Sequence, residues 1–66
     1  MSPERFAVRL KALRERKGLT QEALAKKAGV SRAYLARMEM GRHDPPLSRL
    51  RKLAKALGVK VAKLIE

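Results

Sequence analysis

Sixty-six residues without a cysteine make one small domain, near the size below which chains seldom fold unaided, and exclude a disulfide framework or a thiolate metal site. Seventeen Lys and Arg against six Asp and Glu give a formal net charge of +11, which repels itself on so small a surface and points to a polyanionic partner. A core of this size leaves no room for an ordinary catalytic cleft, and no apolar run has the length of a membrane span or the form of a secretory signal. With one Phe, one Tyr and no Trp, the chain also lacks the aromatic anchors of a membrane-surface helix and the stacking platforms of a single-strand binder. Double-stranded nucleic acid is the leading partner; no membrane partner and no cofactor are expected.

The first helix is expected over residues 3–17. Ser2 can cap it, Pro3 suits a first helical position that needs no N–H, and Phe6, Leu10 and Leu13 recur at helical spacing to form its buried stripe. Val8 falls on the far side and reads as a tolerated surface residue.

Residues 21–40, QEALAKKAGVSRAYLARMEM, carry the densest signal. Thr20 and Ser31 are capping residues for a second and a third helix, and Glu22 sits where the dipole of the second favours it. Leu24 and Ala28 share one face of the second helix, Leu35 and Met38 one face of the third, and Val30 fills the corner between them. Ala25 is small where the two helices cross, and Gly29 stands where the backbone must turn left-handed. Two helices joined this tightly form a helix-turn-helix, whose second helix is suited to a DNA major groove.

On a helical wheel the third helix, about residues 32–40, places Ala33 and Ala36 opposite Leu35 and Met38, with Arg32 and Arg37 at the edges. Small residues let the backbone approach the groove floor, and arginine forks match guanine O6 and N7. Arg32, Ala33 and Arg37 are therefore the expected base contacts, Ala33 against a thymine methyl. Gln21, Arg42 and His43, with the amides at the start of the second helix and in the 41–44 loop, are the expected phosphate contacts. Tyr34 has two readings, a hydroxyl that reaches a phosphate or a half-buried core ring. His43 has no Cys or acidic cluster beside it in sequence, so no metal site is expected.

A loop, GRHDPP, leads to a fourth helix over residues 47–57 with Leu50, Leu53, Ala54 and Leu57 inward. Val59, Val61 and Leu64 are assigned to a short fifth helix. Arg49, Arg51, Lys52 and Lys55 on the fourth helix, and Lys60 and Lys63 beyond it, read as mostly solvated. The chain stops where its core is complete, so a single domain over residues 1–66, with no attached ligand-sensing or catalytic domain, is expected.

Residues 10–59 strongly resemble the phage lambda repressor and Cro-like (Xre) helix-turn-helix family. The resemblance implies an all-α, five-helix bundle whose third helix enters the major groove, and it supports the roles given to Gln21, Arg32, Ala33 and Arg37. It further implies a partly buried ion pair between Arg14 and Glu39. Two places depart from the family pattern. Pro46 stands where a Ser or Thr usually precedes the fourth helix, and Lys60 replaces the usual cap of the fifth.

The leading expectation is a sequence-specific, double-stranded DNA-binding transcriptional regulator, in the first instance a repressor, with a cytoplasmic, nucleoid-associated location. Its assembly would be a weak homodimer completed on DNA, with Val61, Ile65 and the exposed side of the fifth helix as candidate contact surface. A second expectation is an antitoxin-like or anti-repressor subunit whose main partner is a protein. A third is a basic architectural or RNA-binding protein without sequence preference. Catalysis finds no support, since no nucleophile, base and orienting group converge.

Overall fold

A computed structural model describes residues 2–66 and contains five helices: α1 (Pro3–Arg16), α2 (Gln21–Ala28), α3 (Arg32–Glu39), α4 (Leu47–Leu57) and α5 (Val61–Ile65). No strand occurs among the described residues. Local chemistry sets the helix starts. The Ser2, Thr20 and Ser31 side chains accept the N–H groups of Arg5, Ala23 and Tyr34 at 3.2, 3.0 and 3.0 Å, each satisfying one donor that has no carbonyl within its helix. Neither α4 nor α5 has such a cap: Pro46 and Lys60 occupy the cap positions without a side-chain hydrogen bond.

A left-handed glycine follows each of α1 to α4. At Gly29, φ is +70°, and the Val30 N–H returns to the Ala25 carbonyl at 3.0 Å. A Cβ there would meet nothing within 4 Å, so backbone conformation alone selects glycine. This turn redirects the chain from α2 into α3.

The core lies where the five helices converge. Phe6 and Leu10 of α1, Leu24 of α2, Leu35 and Met38 of α3, Leu53 and Leu57 of α4 and Leu64 of α5 are fully buried. α3 packs on α1 and α2, α4 packs on α2 and α5, and α5 closes against α1. Ala25, at 3% exposure, lies in the core. Two small residues outside the sequence-read stripes, Ala7 and Ala56, are also buried. Ala7 is small where the turn after α3 approaches: a Cβ on Gly41 would lie 3.8 Å from the Ala7 Cβ and 3.5 Å from the Glu4 Cα.

The element limits differ from the sequence reading in small ways. Lys17 and Met40 are the C-cap residues of α1 and α3 rather than members of those helices. Val59 precedes α5, yet it still packs against the core. Val8 is exposed.

Candidate nucleic-acid interface

α3 is held from behind by Leu35 and Met38, both fully buried, and presents its other side to solvent. Arg32, Ala33 and Arg37 are exposed; Ala36 is half-buried, so the outward face is narrower than the wheel indicates. Neither Arg32 nor Arg37 takes part in an ion pair among the described residues. Their donors are free for an external acceptor.

The start of α2 lies beside this face. Arg14, Thr20, Gln21, Glu22 and Arg32 line an open notch of about 390 Å³. Thr20 takes the Ala23 N–H, while the N–H groups of Gln21 and Glu22, as the first two of the helix, have no intrahelical carbonyl to bond. Amide donors, the positive end of the α2 dipole and a guanidinium therefore border one notch, a combination suited to a phosphate oxygen.

Behind the notch is a buried polar network. The Arg14 guanidinium donates from Nε to Glu39 Oε2 at 2.7 Å, from Nη2 to Glu39 Oε1 at 3.0 Å and from Nη1 to the Leu19 carbonyl at 2.7 Å. The hydrogen bond to Glu39 is the main cause that raises the Arg14 pKa above the ordinary arginine value. Gln21 Nε2 also donates to Glu39 Oε1, at 3.1 Å. A side-chain amide carries two N–H groups, so one can hold Glu39 while the other stays available outward. Gln21 is thus tied by a side-chain contact to the end of α3. Its sequence position indicates a phosphate contact but not this second bond.

On the opposite flank, Tyr34 is half-buried against the core. The His43 ring meets it edge-on, with centroids 4.7 Å apart and planes at 76°. The guanidinium carbons of Arg49 and Arg37 lie 4.6 and 6.0 Å from the Tyr34 ring centre. Arg49 is one of six basic residues that the sequence reads as mostly solvated; it is exposed, but it also has this ring as a neighbour. No periodicity could have found it, because its approach depends on the course of the loop between α3 and α4.

That loop corrects part of one expectation, the one that gave the amides of residues 41–44 to phosphate. The Gly41 N–H donates to the Met38 carbonyl at 3.2 Å and the Arg42 N–H to the Arg37 carbonyl at 3.5 Å, the paired bonds that close a helix C-terminus. These two amides are occupied and do not serve as phosphate anchors. The Arg42 side chain is exposed and His43 half-exposed. No group of three or more His, Cys, Asp or Glu among the described residues is arranged to hold a metal ion.

Two short helices joined by a left-handed glycine, the second buried on one side and carrying unpaired arginines on the other, define a helix-turn-helix module. The helix-turn-helix family model (HTH_3) matches residues 10–64. The immunity repressor protein of Bacillus phage phi105 is 47% identical over 57 residues, covering 86% of this chain and 40% of the repressor. An uncharacterized HTH-type transcriptional regulator of Methanocaldococcus jannaschii, MJ0272, is 49% identical over 53 residues, covering 80% of each. The crystal structure of the restriction-modification controller protein C.AhdI from Aeromonas hydrophila superimposes with a TM-score of 0.91 at 39% identity, covering 94% of each chain. The chain belongs to this lambda repressor-like helix-turn-helix family of DNA-binding regulators. It spans less than half the length of the phage repressor it matches.

Proposed function

We infer that the protein is a sequence-specific regulator of transcription, a repressor, that inserts α3 into the major groove of double-stranded DNA. The observation that carries this reading is the pairing of a firmly packed inner face, Leu35 and Met38, with exposed and unpaired Arg32 and Arg37 on the same short helix. Arg32 and Arg37 read guanine edges, and Ala33 contacts a thymine methyl. Gln21 and the α2 amides take a phosphate on one side of the groove. Arg42 and His43 face the backbone on the other side, beside the half-buried Tyr34 ring, so contacts on both strands set the depth of α3.

A single recognition helix covers too few base pairs to select a genomic site. The working form is a homodimer on an inverted repeat, with recognition helices ~34 Å apart, weakly associated when free and completed on DNA. Residues 1–66 act as a single DNA-binding domain, working at the nucleoid in the cytoplasm. The formal charge of +11 favours DNA over a protein as the main partner, because protein binding does not require it.

Titration against a duplex over a range of salt tests the reading. Log affinity falls linearly with log salt, with a slope of about −0.9 per phosphate neutralised. Binding that ignores salt would contradict it.

A further inference from the structure

We propose that Arg49 is a phosphate-binding residue of the duplex interface and that the Tyr34 ring is the platform that orients it. The inference rests on the DNA-binding reading above and extends it to α4. Arg49 lies in the first turn of α4, exposed, with its guanidinium carbon 4.6 Å from the centre of the Tyr34 ring, inside the range in which a cation is held by an aromatic face. Tyr34 is itself half-buried against the core and its backbone N–H is bonded to the Ser31 cap. Core packing on one side restricts the ring, and through it α3 orients a side chain on another helix.

The chemistry of the contact leaves Arg49 free to bind. A guanidinium held over a ring makes that contact through its charge and carbon, and its N–H donors, which the ring does not consume as a carboxylate would, stay available to an external acceptor. The contact also restricts the side chain before any ligand arrives, so less conformational entropy is lost when it does. Arg37 approaches the same ring at 6.0 Å and His43 meets its edge. Neither arginine has a carboxylate partner in an ion pair among the described residues. Two unneutralised guanidinium groups near one ring repel each other, and an anion beside them removes that cost. The anion that α3 would carry to this place is a backbone phosphate at the edge of the groove it enters. Tyr34 is then a positioning residue, acting through its ring rather than its hydroxyl.

The test uses the full chain, a random-sequence duplex pool and a salt series, with helicity and melting recorded for every variant. Arg49→Ala weakens binding to all duplexes by similar factors and makes the salt slope shallower by about 0.9. Tyr34→Phe keeps the ring and changes affinity less than about twofold. Tyr34→Leu removes the platform and weakens binding about two- to fivefold with Arg49 present, but adds nothing in an Arg49→Ala background. Arg49→Lys retains the salt slope, as its charge remains, and loses part of the dependence on Tyr34. An unchanged affinity and slope for Arg49→Ala overturns the proposal while leaving the DNA reading intact. A Tyr34→Phe loss as large as that of Tyr34→Leu assigns the contact to the hydroxyl and overturns the platform. Wild-type protein that binds no duplex removes the underlying reading instead.

Discussion

Arg14 and Glu39 join the last turns of α1 and α3 through two parallel hydrogen bonds of 2.7 and 3.0 Å, with side-chain exposures of only 11% and 3%. Such a two-pronged pair fixes direction as well as distance. Removing one partner of a buried pair costs about 3–5 kcal/mol, against about 0–1 kcal/mol for an exposed one. Glu39→Ala falls between these limits, since Arg14 keeps the Leu19 carbonyl and a solvent-facing edge. Denaturant unfolding of both single variants and the double variant checks this. The double variant recovers part of the loss, and strict additivity would contradict the coupling. The Arg14 pKa is raised, so the sign of the pH effect is set: its contribution is fully present below the ordinary arginine range and is lost only above it.

The same pair is hydrogen-bonded to Gln21, a proposed phosphate contact. Gln21→Ala removes an outward donor and weakens binding to every duplex by a similar factor, as does Arg42→Ala at the other flank. Glu39→Ala, by releasing Gln21 Nε2, produces a smaller loss of the same kind. Filter binding to several unrelated duplexes measures all three, and a loss confined to one sequence would assign these residues to base reading.

Arg37 stands differently. Its guanidinium is exposed and only loosely over Tyr34, free to reach a base edge. Arg37→Ala costs about 1–3 kcal/mol of specific binding and relaxes the preference at one position of each half-site. Competition between the preferred site and single-base variants reads this directly. Equal weakening on all duplexes would make Arg37 a phosphate contact.

Gly29→Ala tests the turn that sets α3. Because a Cβ at this position has open space, the whole cost is that of a left-handed alanine, about 1–2 kcal/mol. Thermal unfolding reports it. A variant as stable as the parent would mean that the turn does not depend on glycine.

The helices were legible because their signals are local. Ser2, Thr20 and Ser31 cap, glycines terminate, and the 3.6-residue period of Leu and Phe marks the inner faces, so the expected limits differ from the observed ones mainly at C-cap residues. Ala7 and Ala56 were missed because small apolar residues weigh little in such a stripe. The facing of Arg14 and Glu39 came from family resemblance. Spacing alone does not show that charges 25 positions apart meet. Likewise Gln21's bond to Glu39, the occupied amides of Gly41 and Arg42, and Arg49 over Tyr34 all depend on how the helices and the α3–α4 connection are packed. The fold was written in periodicity and punctuation; half of the site is written in tertiary geometry.

The proposed function turns on α3 reading base sequence in a double-stranded major groove. Selection of bound molecules from a randomised duplex pool, with this chain as the only protein, tests it most directly. The expected result is enrichment of an inverted repeat with half-sites one helical turn, ~34 Å, apart and a guanine in each half-site whose selection disappears in Arg37→Ala. Recovery of a pool no different from the starting mixture, from protein that binds duplex tightly, would contradict it.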